Sequence, residues 1–329
     1  MAYTDIKLDR TIIHYADDPV KLFIEEWYND KEYILAHTSG STGAPKNIRL
    51  AKCDMMKSAE ATCKYFRITE KSKLLLPLSP SYIAGKMMII RAIISGAEIF
   101  IETPNNNPIK QDYGVIDLVP IVPSQISSLI LSPYAKNLKN VIIGGGAIPI
   151  NLEKEIIKSG LNCYATYGMT ETCSHIALRK IVDGNEFYES LPGYSLKVDN
   201  RHCLMVSAPD FTYKEIITND IVELVDNTHF KWLGRWDNVI NSGGIKIFPE
   251  RVEKELSDII KSPFYITSTS DEKWGEVVTL YIESTNINIS TLTADIKKVL
   301  KNRFYIPKKI ILVDKFNRTT TGKIIRTKF

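Results

Sequence analysis

At 329 residues, 44% of them apolar and 24% charged, the chain has the composition of a globular protein with a large core, and its length predicts two domains. The net charge of +4 is mild: it suits anionic small molecules and gives no reason to expect nucleic acid. No apolar run spans a membrane, since the longest, 87–101, contains Arg91, Gly96 and Glu98 and reads as a helix followed by a strand.

The first residues, Met1-Ala2-Tyr3-Thr4-Asp5, lack the basic segment and apolar core of a signal peptide, so none is expected. An apolar run at 33–37 predicts a short strand feeding Thr38-Ser39-Gly40-Ser41-Thr42-Gly43-Ala44-Pro45-Lys46. That segment has the composition of a phosphate cradle. Gly40 and Gly43 let backbone N–H groups converge on an anion, and Ser39, Ser41, Thr42 and Lys46 add donors. Ala44-Pro45 separates Gly43 from the lysine, so the spacing is not Walker A and argues against a kinase or GTPase.

Residues 52–66 have helical spacing, with Met56, Ala59, Cys63 and Phe66 on one side. Strands are predicted at 74–78, 97–101, 141–143 and 161–165, and helices at 83–95, from Pro123-Ser124 to about Leu131, and at 150–159. This alternation predicts an α/β sheet with ligands at the carboxyl ends of its strands. From about Asp183 the pattern becomes short strands and turns, which predicts a small β-rich subdomain. After Arg235 a compact α+β unit follows: a helix at 249–260, two strands within 265–283, a helix at 291–303 and a strand at 310–313. The expected domains are therefore 1–236 and 237–329. The five cysteines, Cys53, Cys63, Cys163, Cys173 and Cys203, form no CxxC pair; they read as free, mostly packed thiols in a reducing cytosol.

Two further segments carry chemistry. Tyr167-Gly168-Met169-Thr170-Glu171 follows the strand at 161–165. Gly168 permits a tight turn, Tyr167 offers a flat face for a base, Thr170 can bond an anion and Glu171 can hold Mg²⁺. In Gly144-Gly145-Gly146-Ala147-Ile148-Pro149 a backbone bare of side chains lets a planar ring approach closely.

Together these motifs resemble those of the adenylate-forming superfamily, which includes acyl-CoA synthetases, luciferases and adenylation domains. The resemblance implies that 38–46 holds the β- and γ-phosphates of ATP, that Tyr167 lies on adenine above Gly144 and Gly145, and that Gly145 and Gly146 lie beside the acyl group. It implies that Thr170 contacts the adenylate phosphate and that Glu171 binds Mg²⁺. Thr218-Asn219-Asp220 and Gly234-Arg235-Trp236-Asp237 resemble the Thr-Gly-Asp and Gly-Arg-x-Asp patterns, with Asn219 in place of glycine. They imply that Asp220 accepts from the ribose hydroxyls, that Arg235 is its paired cation and that Asp237 is the hinge between domains. Gly243-Gly244-Ile245-Lys246-Ile247-Phe248-Pro249 resembles the element that faces coenzyme A, although Lys246 departs from the family's usual glutamate. Thr319-Thr320-Thr321-Gly322-Lys323-Ile324-Ile325-Arg326 resembles the terminal motif whose lysine, here Lys323, stabilises charge between carboxylate and α-phosphate during adenylation.

The motifs run in family order over nearly the whole chain. Only 37 residues precede Thr38, so the family's long N-terminal subdomain is expected to be mostly absent. That short form, and the segment 76–86 with Tyr82, Gly85 and Lys86, resembles the o-succinylbenzoate–CoA ligases of menaquinone synthesis. The resemblance implies a cytoplasmic ligase that uses ATP, Mg²⁺ and coenzyme A on a carboxylic acid. Tyr82, Gly85 and Lys86 are then acyl-pocket residues, with Lys86 paired to a second carboxylate of the substrate. Another acyl-CoA ligase, a carrier-loading adenylation enzyme and a non-catalytic nucleotide sensor are the alternatives.

Overall fold

The computed structural model describes residues 4–8, 10–15, 18–37, 47–318 and 324–327. The phosphate-loop residues Thr38, Ser39, Gly40, Ser41, Thr42, Gly43 and Lys46, and the terminal Lys323, lie outside the described residues.

Helices and strands alternate in the first half of the chain. The strands Thr11–Tyr15, Glu98–Ile101 and Lys73–Leu76 run parallel in a four-stranded sheet, with Thr4–Leu8 antiparallel at one edge. A second run of parallel strands, Val119–Ile121, Val141–Ile143 and Cys163–Met169, begins a nine-stranded sheet. The β-rich stretch after Asp183 continues that same sheet through antiparallel neighbours out to Ser195–Val198.

The helix Ile83–Ser95 lies between the two sheets. Its residues from Gly85 to Ala92 are all buried, which explains an apolar sequence broken only by Lys86 and Arg91. The helix Lys52–Phe66 packs beside it. Its buried stripe is Met55, Ala59, Thr62 and Cys63, and Met56 points to solvent at 39% exposure. The expectation for Met56 is thus corrected: the stripe starts one residue earlier, because Asp54 and Ser58 on that face are also drawn inside.

Beyond Ile240 a separate core forms around Ile240, Val252, Leu256, Ile266, Leu280 and Ile296. The sheet here orders Ile245–Ile247, Ile240–Ser242, Gly275–Glu283 and Phe264–Asp271, and Lys309–Val313 pairs in parallel with Gly275–Glu283. Helices Pro249–Leu256 and Ile289–Val299 complete it. Two ion pairs link this unit to the large one: Lys154 to Asp258 at 2.7 Å, and Lys254 to Glu186 at 2.7 Å, where Glu186 also holds Lys231. Among the described residues no helix is long and apolar enough to cross a membrane.

Candidate active site

The parallel strands end together, and the loops that leave their carboxyl ends carry the motif residues. Lys73–Leu76 leads into the segment with Tyr82, Val141–Ile143 into Gly144-Gly145-Gly146, and Cys163–Met169 into Thr170-Glu171. Gln125, which the motif reading passed over, ties the loop after Lys73–Leu76 to the segments after Glu98–Ile101 and Val119–Ile121. Its buried amide donates to the carbonyls of Pro77 at 3.4 Å and Asn105 at 2.7 Å, and its oxygen accepts from Val122 N–H at 3.0 Å. Its signal was a single amide inside an apolar stretch, too common a pattern to single out.

Among the described residues Gly168 is the one strand glycine whose side chain would be excluded by backbone. A Cβ there would meet the carbonyl oxygen of Ser174 at 2.2 Å, across the antiparallel pairing that turns the chain at Thr170–Thr172. The turn leaves Glu171 exposed beside Thr170. A carboxylate next to a hydroxyl is an all-oxygen donor set of the kind Mg²⁺ takes. Among the described residues no three His, Cys, Asp or Glu side chains converge on one point.

Three motif residues far apart in sequence meet on the antiparallel side of the sheet. Asp220 and Arg235 are direct cross-strand partners, and the guanidinium lies 3.8 Å from the carboxylate. Tyr167 donates its phenol to Asp220 at 2.8 Å, and the indole N–H of Trp232 donates to the other oxygen at 3.1 Å. Burial, then the charge of Asp220, pushes the Tyr167 hydroxyl well above its ordinary pKa, so it stays a donor. The ring of Tyr167 is edge-on to Phe230 at 5.0 Å and to Tyr188 at 5.9 Å. Each oxygen of Asp220 keeps one further lone pair for an incoming hydroxyl. Trp232 is a site residue that the motif patterns omit.

Asp237 sits in the short turn Trp236–Asn238, where the chain passes from one core to the next. Its carboxylate is 3.0 Å from Arg235 and 3.4 Å from the amide of Asn219, the residue that stands in place of glycine. Gly243 and Gly244 form the turn between Ile240–Ser242 and Ile245–Ile247, with φ of 58° and 82°. Lys246 lies 4.9 Å over the ring of Trp236.

The acyl-pocket expectation for Lys86 is not supported by its surroundings. The side chain is 10% exposed, its ammonium lies 2.7 Å from Glu26, and it caps the ring of Phe23 at 4.5 Å. Its charge is balanced within the protein, because the first helix, Asp18–Trp27, places Glu26 against it. Gly85 packs on the backbone of Ser79 and Pro80, and Tyr82 is 52% exposed. A different cation on the same helix is uncompensated. Arg91 is 1% exposed, donates to Ser174 Oγ at 3.1 Å, and has a buried Nε with no acceptor. No carboxylate among the described residues pairs with it, and burial lowers its pKa to about 10.

Four of the five cysteines are buried and all are free. Burial pushes the thiols of Cys163 and Cys173 up to about 12, which suits packed and unreactive side chains.

Residues 14–202 match the family model for AMP-binding enzymes. The chain is 25% identical to the 2-succinylbenzoate–CoA ligase of Listeria monocytogenes over 93% of its own length and 71% of that protein's. It is 33% identical to a structure of an AMP-forming acyl-CoA synthetase/AMP-acid ligase II-like protein from Dyadobacter fermentans, covering 92% of this chain and 90% of that one, with a TM-score of 0.62. The o-succinylbenzoate CoA synthetase of Bacillus subtilis, solved with its acyl-adenylate intermediate, is 23% identical over 89% of this chain and 67% of that one, with a TM-score of 0.75.

Proposed function

This chain belongs to the AMP-binding enzyme family, and we propose that it is an AMP-forming acid–CoA ligase whose acid is o-succinylbenzoate. The observation that carries the reading is the meeting of Tyr167, Asp220 and Arg235 beside the turn that presents Thr170 and Glu171. A nucleoside monophosphate has a base, two vicinal hydroxyls and an anion, and that cluster supplies a ring, a carboxylate and polar donors in the matching order. The relatives named for the same acid supply the substrate.

The reaction runs in two steps. A substrate carboxylate oxygen attacks the α-phosphorus of Mg·ATP, the bond to the β-phosphate bridging oxygen breaks, and pyrophosphate leaves. Coenzyme A thiolate then attacks the acyl carbon and AMP departs. No side chain serves as nucleophile, so the protein's part is orientation and charge stabilisation. Residues 38–46 would hold the phosphates and Lys323 the charge that develops between carboxylate and α-phosphate. Asp220 and Arg235 fix the ribose end, and the bare backbone of Gly144, Gly145 and Gly146 admits the adenine and acyl planes. The large unit, 1–236, and the small one, 237–329, turn about Asp237 between steps. Gly243, Gly244 and Lys246 then face coenzyme A. A cytosolic location is part of this proposal, and the free thiols support it.

The acid's second carboxylate stays charged and needs a cation, since a buried unpaired carboxylate is costly. Lys86 is already balanced by Glu26 and Arg91 is 1% exposed in the core, so no cation among the described residues is assigned to it. ATP–pyrophosphate exchange tests the reading. Exchange is expected with o-succinylbenzoate and to be much weaker with benzoate or acetate. Preference for the monocarboxylates would refute the substrate and keep the ligase; no exchange with any acid would refute both and favour a nucleotide sensor.

A further inference from the structure

Asn219 and Lys246, the two residues that depart from the family's motifs, both contact the turn at Trp236 and Asp237. Asn219 lies in the strand Lys214–Leu224, and its φ is not in the left-handed region, so no backbone geometry calls for glycine there. Its side chain makes two contacts instead. The amide nitrogen donates to both carboxylate oxygens of Asp237 at 3.4 Å, and Oδ1 accepts from Arg201 Nη1 at 3.1 Å. A carboxylate only accepts and a guanidinium only donates, so an amide is the group that can join the two.

Arg201 is itself fixed to the large unit. It sits in the turn between Ser195–Val198 and Cys203–Ala208, where one oxygen of Asp199 accepts from the backbone N–H groups of Arg201 at 2.8 Å and Cys203 at 2.9 Å. The other oxygen of Asp199 accepts from Arg201 Nε at 2.8 Å, and Arg201 Nη2 donates to the carbonyl of Thr218 at 3.5 Å. The same guanidinium lies 5.7 Å from the ring of Trp236, and Lys246 lies 4.9 Å from that ring. Arg201 therefore braces the turn twice, through Asn219 onto Asp237 and directly onto Trp236. Lys246 is the member of this group that lies beyond Asp237. Arg235 joins the same turn to the nucleotide cluster, since it contacts both Asp220 and Asp237.

From this geometry we propose that Asn219 is a positioning residue for the hinge. Braced by Arg201, it ties the side chain of Asp237 to the large unit and so favours the arrangement of the two units seen here. The inference rests on the reading of Asp237 as the hinge and adds to it a residue to which the nucleotide reading gives no part. A large turn at Asp237 takes Lys246 off Trp236, and any turn that moves the carboxylate also breaks its bonds to Asn219. The arrangement that keeps these contacts is favoured by what they are worth. Asp237 and Arg201 are 45% and 32% exposed, so water weakens the contacts and the bias is modest.

The test reads the arrangement first and the chemistry second, in the full chain. Spin labels are attached at Leu131→Cys on the large unit and Lys298→Cys on the small one, both exposed, in a Cys53→Ser background that removes the exposed native thiol. Pulsed dipolar spectroscopy then gives the distance between them, and one dominant distance is expected without substrates. Asn219→Ala and Arg201→Met should each move population to a second distance, changing the ratio of the two about 3- to 10-fold. Asn219→Gln keeps the amide and should recover part of that change. Combined, Asn219→Ala and Arg201→Met should give less than the product of their single effects, because both act through one contact. In the same variants, acyl-adenylate formation and thioester formation from supplied acyl-adenylate should move in opposite directions, with KM for ATP within about twofold. Wild-type distances in both variants would overturn the proposal, and so would a lower melting temperature with equal falls in the two half-reactions. If wild type forms no acyl-adenylate with any acid, the ligase reading fails and the distances alone decide the proposal. If Arg201→Met does not fold, Asn219→Ala against Asn219→Gln carries the same comparison.

Discussion

The phenol of Tyr167 and the carboxylate of Asp220, 53 residues apart, are joined by a 2.8 Å hydrogen bond. The residue read for the base thereby orients the residue read for the ribose. Tyr167→Phe keeps the ring and removes the donor, so it should raise KM for ATP by about 10-fold, the worth of a hydrogen bond to a charged group. Asp220→Asn should raise it further and leave KM for the acid unchanged. Steady-state kinetics with each substrate varied in turn checks both. Equal rises for ATP and acid would mean that the pair supports the fold and not the nucleotide.

Lys86 and Arg91, on one buried helix, should separate by phenotype. Lys86→Met strands Glu26, and since the pair is 10% and 30% exposed the loss should be about 1–3 kcal/mol, less than for a fully enclosed pair. KM for o-succinylbenzoate should not move, and Glu26→Gln in the same chain should restore stability. Arg91→Lys should lower stability with no such rescue and leave KM for o-succinylbenzoate unchanged, because the guanidinium is sealed in the core at 1% exposure. A rise in KM for o-succinylbenzoate with Lys86→Met would return the substrate carboxylate to Lys86.

His175 is buried with its Nε2 3.1 Å from Thr62 Oγ1, and burial together with the charge of Arg91 holds its pKa well below 6.5. The folded ring is therefore neutral, whereas the unfolded ring takes a proton as pH falls through about 6.5. Below that pH the unfolded chain binds the extra proton, so this residue's contribution is complete above about pH 6.5 and declines by about 1.4 kcal/mol per pH unit beneath it. Melting curves from pH 8 to pH 5 should show wild type losing stability faster than His175→Gln. Parallel pH slopes would contradict this.

Asp237→Pro should divide the two half-reactions. Proline holds φ near −65°, so a residue that must take two backbone settings is confined to one. One step should proceed and the other collapse, read by pyrophosphate exchange and by thioester formation from supplied acyl-adenylate. Near-normal rates in both would move the hinge elsewhere.

Much of this architecture could be read from local signals. The helices Lys52–Phe66 and Ile150–Ser159 have the 3.6-residue pattern, Ile83–Ser95 is an apolar run too long for a strand, and all three fall where the sequence places them. Asn47–Ala51 was passed over as a strand although Ile48 and Leu50 alternate with polar residues, because five residues after a glycine-rich loop look like its continuation. What local pattern cannot carry is partnership across the fold. Lys86 stands 60 residues from Glu26, and nothing within the motif announces that its charge is already met. Trp232 likewise becomes a donor to Asp220 only when two strands pair with a register shift between Ile221 and Val222. Arg91 was visible as one charge in an apolar run, and its orphaned Nε is a property of the packed core alone.

Glu186 holds one lysine from each unit, Lys231 on the large side and Lys254 on the small. The two hydrogen bonds draw its pKa down to about 2, so it remains ionised at any working pH. A rotation that carries Lys254 away leaves the carboxylate with Lys231, so the departing contact exposes no bare anion. Both partners are about half exposed, and water replaces the lost contact with little change in free energy. For the rotation about Asp237 proposed above, the electrostatic barrier at this contact would therefore be low, and the pair could open and close without favouring either position strongly.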